Sequence, residues 1–321
     1  MEKYEVVSKI SKTIDYNSRR WNKEIIDRYL LRYDDKRIIE CMTIIHLNSD
    51  EYLDLTVELS NMYNCIVGCR FCASGSLPES RIFLKGEDYL RQVETCLEAS
   101  NVNPLDYKMF HIAFTGIGEP SLVKEEIARG IKLIKDKYPN VEVNIATTGF
   151  DPSCFKYWSG QNLPIRTLQL PYYSCIPDKM KYIIQNLPVG YDLGRNIEEA
   201  IKYKREHNLC RVKVNFVVID EFNSSNDDLD IMLSYLERFK EDIILKISFL
   251  NYTKKCQEFG LKSPDYQRMV EIIARIKRAG FDCYLFGTAN NTELGCGQLV
   301  QNYISQDGEE GKRFIKRYPN N

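Results

Sequence analysis

The chain has 321 residues, of which 44% are hydrophobic and 28% charged, a composition that can bury a sizeable core and excludes disorder and collagen-like repetition. Its 44 basic and 45 acidic side chains give a formal charge of -1, so any contact with nucleic acid would depend on a local basic patch. No apolar run approaches the about 18 to 20 residues that span a membrane, and charges stand where a signal peptide would carry its apolar stretch. We therefore expect a soluble, cytoplasmic protein with no membrane partner.

The N-terminal region is expected to be helical. Residues 1–35 mix charges with apolar side chains such as Trp21, Ile25 and Tyr29 at helical spacing. This pattern predicts one or two amphipathic helices that end near Arg32.

A β-hairpin is predicted directly after this region. The β-rich runs 37–46 and 52–59 flank the turn-forming segment 48–51. If the chain turns about the middle of that segment, Cys41 lies opposite Glu58 on the same face of the ladder.

From residue 56 onward, short apolar runs alternate with amphipathic helical patterns. Strands are predicted at 56–60, 111–115, 142–146, 167–170, 211–218, 244–249 and 282–286. Helices are predicted between them, at 87–98, 123–137, 196–206, 226–239 and 264–279. This alternation indicates an α/β fold of βα units around a parallel sheet that is closed or partly closed into a barrel. We expect a main domain of residues 56–300, preceded by the helical segment and hairpin of 1–55 and followed by a tail of 301–321.

Polar, glycine-rich segments follow four of the predicted strands. They cover residues 64–76, 116–121, 147–151 and 251–255. The loops after the strands of a βα barrel share one face, where such folds keep their chemistry. Residues of these four segments are therefore candidates for a common site.

Eleven cysteines, an odd number without a secretory signal, argue for reduced thiols and against a disulfide framework. Cys65, Cys69 and Cys72 are clustered, whereas the others are scattered. Three thiolates on so short a loop cannot close a tetrahedral zinc site unaided, but they can bind three irons of a cubane and leave the fourth open. A zinc site completed by a distant side chain, and chance in a cysteine-rich chain, are the alternatives. The histidines have no nearby ligand partner in the sequence and are interpreted as core or surface residues: His46, His111 and His207.

The spacing C-x₃-C-x₂-C, with Phe71 before the last cysteine and a predicted strand before the first, resembles the radical S-adenosylmethionine (SAM) enzymes. The resemblance implies a partial (βα)6-type barrel in which the three cysteines bind a [4Fe–4S] cluster. It also implies that SAM chelates the remaining iron through its amino and carboxylate groups. Reduction by an electron donor such as flavodoxin or ferredoxin would then cleave SAM to a 5′-deoxyadenosyl radical that abstracts hydrogen from the target.

The loop after the next predicted strand strengthens this resemblance. It reads F-T-G-I-G-E-P over 114–120, where a glycine bend lets the backbone approach a ligand and a carboxylate accepts hydrogen bonds from an ammonium group. Radical SAM enzymes carry a Gly-Gly-Glu-type motif for the SAM amine here, which implies that role for Gly116, Gly118 and Glu119. Without this setting, the same string is more typical of an ordinary turn.

Residues at the ends of two further predicted strands are weaker candidates for contact with SAM. Thr147 and Thr148 carry hydroxyls suited to its carboxylate or ribose, although threonine also favours strand edges for structural reasons. Asn251 suits the adenosine part as well as it suits a turn-initiating position.

Within the superfamily, several segments resemble the RlmN/Cfr-type RNA adenine methyltransferases. The matching strings are C-R-F-C-A-S-G at 69–75, G-I-G-E-P at 116–120, T-T-G at 147–149 and G-C-G-Q-L at 295–299. They occur in the family's order, and chance does not produce so many ordered matches. In that family the cysteine of C-G-Q-L is methylated by one SAM, and the radical from a second SAM activates that methyl group for addition to an adenine ring carbon.

The resemblance therefore implies that Cys296 is the methyl carrier. A thiolate accepts a methyl group readily, and the resulting thioether activates the neighbouring C–H bonds. From spacing alone, a small residue in a tight Gly-Cys-Gly turn is the simpler interpretation of this position.

In that family a second cysteine takes a proton from the adduct and forms a disulfide with the carrier, which releases the product. The chain departs from the family at the position of this second cysteine. Here that position is Glu58. We hypothesise that Cys41 or Glu58 substitutes as the base, although a buried strand residue is the simpler interpretation of Cys41. The family's Ser-Leu-His segment reads Gln169-Leu170-Pro171 here, which alters a SAM-facing loop.

RNA is the substrate that the resemblance implies. Basic residues that could contact RNA are clustered near both ends of the chain, but acidic residues are interleaved with them. A solvated surface therefore explains these basic clusters as well as RNA binding does. One alternative is an enzyme of the same ancestry that acts on a nucleotide, small molecule or peptide without methyl transfer. The other is a non-catalytic zinc-binding module that uses Cys65, Cys69 and Cys72.

Overall fold

A computed structural model of the chain describes residues 3–16, 21–34, 37–48, 51–77, 83–208, 210–287 and 298–305. These residues form one ten-stranded sheet in which the strands follow their order in the sequence. The strands are β1 (Glu5–Asp15), β2 (Lys23–Asp34), β3 (Arg37–Asn48), β4 (Glu51–Glu58), β5 (Met109–Phe114), β6 (Val141–Ala146), β7 (Ile165–Tyr172), β8 (Arg211–Val218), β9 (Ile243–Phe249) and β10 (Cys283–Phe286). β1 to β4 pair antiparallel, and β4 to β10 pair parallel.

Helices connect the parallel strands. Over the described ranges they are α1 (Gly86–Ala99), α2 (Lys124–Lys137), α3 (Ser153–Ser159), α4 (Pro177–Ile183), α5 (Leu193–Glu206), α6 (Asn226–Leu236), α7 (Lys254–Glu258), α8 (Tyr266–Arg278) and α9 (Gln298–Ser305). The five predicted helices correspond to α1, α2, α5, α6 and α8, whereas the short α3, α4, α7 and α9 were not predicted. The predicted α/β class with a parallel sheet is confirmed, and its closure into a partial barrel stays a prediction.

The helical segment predicted over residues 1–35 is wrong, because β1 and β2 occupy this region and extend the sheet. Ile26 and Leu30 lie on one face of β2 and Tyr29 and Leu31 on the other, and all four are buried. A strand buried on both faces shows no alternation of polar and apolar residues. Its apolar spacing then fits a helix as well as a strand.

The hairpin of β3 and β4 is confirmed, with one change of register. A bulge between His46 and Leu47 shifts the pairing by one residue, so that Met42, and not Cys41, lies opposite Glu58. A one-residue shift turns a side chain to the other face of the sheet. Cys41 and Glu58 therefore point to opposite faces.

Helices cover one face of the parallel sheet. Ile112, Val143 and Val214 of the strands pack there in one hydrophobic core with Ile127 of α2 and Ile197 of α5. Because side chains alternate along a strand, the residues between them point to the other face, which we call the polar face. It carries Glu58, His111, Glu142, Asn144, Gln169, Lys213, Asn215, Lys246 and Ser248.

The predicted division into residues 1–55, 56–300 and 301–321 stays a prediction, and its first boundary falls within β4. α9 begins just before the second boundary, and its Leu299 and Val300 pack on Leu30 and Ile38 of β2 and β3. Within the described ranges, no helix combines the length and the apolar character needed to cross a membrane.

Candidate active site

The cysteine loop, residues 60–76, follows the carboxyl end of β4 and is fixed to the segment after α4. Arg70 N donates to Ile183 O at 3.0 Å, and Asn186 N donates to Val67 O at 3.2 Å. These backbone hydrogen bonds hold the loop against the rest of the protein.

Cys65, Cys69 and Cys72 lie close together in this loop, next to Glu119. Burial raises the pKa of Cys65 and of Cys69, and the charges of Cys72 and Glu119 raise it further. The ammonium group of Lys255 lowers the pKa of Cys69, but its effect is the smaller one. Deprotonating these thiols is therefore unfavourable until a cation compensates their charge, as iron does when it binds thiolates.

This set of donors fits a cubane cluster better than a single metal ion. Among the residues with described positions, no three His, Cys, Asp or Glu side chains converge on a point where one ion would bind. Each thiolate of a [4Fe–4S] cluster binds its own iron, so the sulfurs stay farther apart than the ligands of one zinc ion. The zinc alternative has no complete ligand set in this part of the chain.

Glu119 connects the loops that follow β5 and β6. Glu119 is only 3% exposed, and its carboxylate accepts hydrogen bonds from Ser121 N at 3.0 Å, from Thr148 N and Oγ1 at 2.9 Å each, and from Thr147 Oγ1. Four donors fill the about four lone-pair positions of a carboxylate. An ammonium group can therefore bind Glu119 only after a threonine hydroxyl has rotated away.

The glycines of this loop are required by packing within the chain. A Cβ atom at Gly116 would lie 2.6 Å from Leu59 O, and one at Gly118, where φ is +114°, would lie 2.8 Å from Cγ of Met62. The backbone at these glycines thus lies close to other residues of the protein, whereas the sequence predicted a close approach to a ligand. It places the loop after β5 against the start of the cysteine loop.

Two side chains that were not predicted support the loop after β6. Tyr191 Oη donates to Thr148 O at 2.9 Å, and Asn196 Nδ2 donates to Thr148 O and to Gly149 O at 3.1 Å each. Burial raises the pKa of Tyr191, and the nearby Glu119 carboxylate adds to this effect. In the sequence, the only signal was that Asn196 falls on the predicted buried side of its helix. This position does not predict which loop its side chain contacts.

Gln169 and Asn251 lie outside the hydrogen-bond network of the carboxylate. Gln169 is on the polar face of β7, where its Oε1 accepts from Lys246 Nζ at 3.2 Å and its backbone oxygen accepts from Thr147 N at 2.9 Å. Asn251 follows β9 with an exposed side chain, and its backbone oxygen accepts from Cys256 Sγ at 3.4 Å. The roles of both residues toward SAM stay predictions.

The three predicted catalytic residues have separate outcomes. Cys296 lies outside the described residues. Cys41 packs under α1, where its Sγ donates to Gln92 Oε1 at 2.9 Å and burial raises its pKa. Glu58 lies on the polar face and accepts from Thr115 Oγ1 at 2.6 Å. The prediction that Cys41 shares a face with Glu58 is wrong, because the extra residue of the bulge, Leu53 in β4, shifts the register by one and leaves Cys41 on the face that the helices cover.

Two histidines lie in a charged group where the parallel strands begin. His46 Nε2 is 2.9 Å from Glu24 Oε2, and His111 Nδ1 is 3.5 Å from Glu142 Oε2. Burial lowers the pKa of His111, and this effect outweighs the carboxylates of Glu142 and Asp54, which raise it.

The lowered pKa of His111 predicts sensitivity to acid. The unfolded chain takes up a proton near the ordinary pKa of 6.5, whereas the native protein does so only at a lower pH. The contribution of neutral His111 to stability is therefore complete above the unfolded pKa of 6.5. It falls as the pH drops from there toward the native pKa, by at most about 1.4 kcal/mol per pH unit. We expect His111→Gln to lose this part of the pH dependence, as measured by urea denaturation over the acid range. An unchanged slope would contradict the assignment.

The network around Glu119 predicts a specific cost for loss of its charge. In Glu119→Gln an amide NH₂ replaces one acceptor and faces donors of the chain, so we expect the free energy of unfolding to fall by about 1 to 3 kcal/mol. Chemical denaturation of the cofactor-free protein measures this. Glu125→Gln, on the exposed side of α2, is the matched control and should change stability by less than about 0.5 kcal/mol. Equal effects of the two substitutions would contradict the role of Glu119.

Known proteins resemble this chain in sequence and in fold. No protein-family model matches it. A relative from Dictyoglomus turgidum, named "Probable dual-specificity RNA methyltransferase RlmN", is 24% identical over 291 residues, which cover 88% of this chain and 78% of the relative. A relative of the same name from Lactococcus lactis subsp. cremoris is 25% identical over 293 residues, which cover 87% of this chain and 75% of the relative.

A solved structure shares the fold. The crystal structure of a radical SAM methyltransferase from Sphaerobacter thermophilus matches with a TM-score of 0.71 and 19% identity, over 92% of this chain and 80% of that chain. The named relatives and the shared fold confirm the predicted resemblance to the RlmN/Cfr-type radical SAM enzymes.

Proposed function

We propose that this protein is a radical SAM enzyme that methylates an adenine ring carbon in RNA through methyl-Cys296. The observation that carries the proposal is the cluster of Cys65, Cys69 and Cys72 beside Glu119, at the edge of the sheet where the parallel strands end. The names of the relatives from Dictyoglomus turgidum and Lactococcus lactis support RNA as the substrate.

When bound, the [4Fe–4S] cluster and SAM supply the one-electron cleavage that yields the 5′-deoxyadenosyl radical. Cys65, Cys69 and Cys72 would hold the cluster as thiolates, and Cys65 and Cys69, whose pKa values are raised by burial, would lose their protons on binding it. Glu119 would bind the SAM ammonium group once a neighbouring threonine hydroxyl rotates, and that hydroxyl then becomes available to another group of SAM. The electron would come from an external donor such as a flavodoxin or ferredoxin.

The attachment of α9 supports Cys296 as the carrier. This helix begins two residues after Cys296, at Gln298. Gln298 Nε2 donates to Tyr252 O at 2.7 Å, and Val300 N donates to Glu40 Oε1 at 2.7 Å. The segment after the proposed carrier is thereby joined both to the loop after β9 and to β3.

Glu58 is the residue that we assign as the base for product release. Its side chain lies on the polar face at the end of β4, whereas Cys41 faces α1. A carboxylate can take a proton from the adduct between adenine and Cys296, but it cannot form a disulfide with that cysteine. Release of methylated adenine would therefore need an external thiol as the second sulfur.

Anaerobic incubation of the reconstituted protein with SAM and a reductant tests the central proposal. We expect 5′-deoxyadenosine, together with a methyl group on Cys296 that mass spectrometry detects with isotope-labelled SAM. Cys69→Ala should abolish 5′-deoxyadenosine, whereas Cys175→Ala, at a half-buried thiol outside the cysteine loop, should keep both products. A colourless protein that contains zinc and no iron would contradict the radical SAM assignment.

Substitution of Glu58 tests product release separately. We expect Glu58→Gln to form 5′-deoxyadenosine normally but to accumulate an RNA–protein adduct, visible as a shifted band on a denaturing gel. Cys41→Ala is the control and should release its product as the unchanged protein does, because its thiol lies under α1. Full release by Glu58→Gln would rule out Glu58 as the base.

A second candidate is an enzyme of the same ancestry that acts on a nucleotide, small molecule or peptide without methyl transfer. The observation that favours it is the orientation of Cys41, which does not place a thiol beside Glu58. Formation of 5′-deoxyadenosine without methyl-Cys296 in the incubation with SAM would favour this candidate.

A further inference from the structure

Two lysines lie on the polar face of neighbouring strands. Lys213 lies in β8, and Lys246 lies in β9, where it pairs with Asn215. Val214 and Leu245, which adjoin them in the sequence, are fully buried in the core under the helices. The alternation of side chains therefore directs both ammonium groups over the face that carries no helix of this core.

The ammonium groups extend over the adjoining strands. Lys246 Nζ donates to Gln169 Oε1 at 3.2 Å and lies 3.6 Å from the ring centroid of Phe286. Lys213 Nζ lies 5.6 Å from the ring centroid of Tyr284. The contact of Lys213 with an aromatic ring stabilises its charge less than a charge-assisted hydrogen bond to a carboxylate would.

The charge of Lys213 is poorly compensated by its described neighbours. It is half-buried, and the charged group that faces it is Arg211, two residues earlier in β8. Burial lowers the pKa of the Lys213 ammonium group, and Arg211 lowers it further. Within the described ranges, no carboxylate forms an ion pair with Lys213. Such an arrangement is unfavourable for the protein alone and favourable for binding an anion.

We propose that Lys213, Lys246 and Arg211 form a subsite for a phosphate group of the substrate. Three positive charges on two adjoining strands suit a phosphate group, whose one to about two negative charges are spread over several acceptor oxygens. Phe286, which is 51% exposed on the same face, offers an aromatic ring on which a base can stack. The ligand class is therefore a phosphate attached to a nucleoside, either as a free nucleotide or within an RNA strand.

The subsite adjoins the candidate active site, and its assignment to the substrate rests on the proposed function. The backbone oxygen of Gln169, whose side chain binds Lys246, accepts from Thr147 N at 2.9 Å, and the Thr147 hydroxyl donates to Glu119. A nucleotide held by its phosphate over β8 and β9 could thus direct its base toward the edge that carries the cysteine loop.

Calorimetry with the reconstituted full-length protein tests the subsite. It compares the affinities of adenosine 5′-monophosphate, adenosine and inorganic phosphate. We expect the nucleotide to bind at least about tenfold more tightly than adenosine, and Lys213→Met and Lys246→Met each to lose about tenfold in affinity. Lys135→Met, exposed on α2, removes the same charge elsewhere and should bind as the unchanged protein does. Lys213→Arg keeps the charge and should keep most of the affinity, which separates loss of charge from misfolding.

Equal affinity for the nucleotide and adenosine, or unchanged affinity in both methionine variants, would overturn the proposal. A short adenine-containing RNA distinguishes the two sources of phosphate. If it binds more tightly than the nucleotide and weakens in the lysine variants, the phosphate belongs to RNA; if the nucleotide binds more tightly, the ligand is free. Because binding is measured without SAM cleavage, Cys69→Ala should retain it, so the subsite and the radical chemistry can fail independently.

Discussion

The buried carboxylate of Glu119 is the interaction on which the candidate site depends. Its donors come from the loops after β5 and β6, so neither loop can move away without leaving a buried charge unsatisfied. Such a loss costs several kcal/mol, more than most single contacts in a protein provide. Because parallel strands end at a common edge, the same carboxylate lies beside Cys65 and Cys69 and raises their pKa. The position of the thiols and that of the predicted SAM-amine site are therefore coupled through one side chain.

The two faces of the sheet divide stability from chemistry. Val143, Leu168 and Val214 are fully buried against the helices, and each such side chain contributes about 1.5 to 3 kcal/mol. That contribution allows the opposite face to carry a group that destabilises the fold when no ligand is bound, such as the ammonium group of Lys213. The half-buried charged side chains of the polar face do not add to the stability of the core. They suit a surface that binds charged molecules.

Sequence patterns predicted the parts of the fold that depend on local periodicity. β8 agrees with its predicted range at both ends, because one of its faces is apolar and the other polar. β2 was missed since both of its faces are buried, and α7 since a helix of five residues has no period to detect. In the site, the spacing of cysteines was sufficient to find the loop. Tyr191 and Asn196 were not found, because only the folded chain brings them to Thr148.

The greatest chemical consequence follows from a single extra residue. Counting back from the turn places Cys41 opposite Glu58, but a bulge changes the count, and hydrophobic pattern does not reveal a bulge inside a largely buried strand. Without it, the thiol of Cys41 would lie on the polar face opposite Glu58, the residue to which the proposed function assigns the role of base. With it, Cys41 lies beneath α1 against Gln92. Within the described residues, the strand opposite Glu58 thus presents Met42 and no thiol. Under the proposed function, proton removal and C–S cleavage, which a resolving cysteine would combine, would be carried out by different groups.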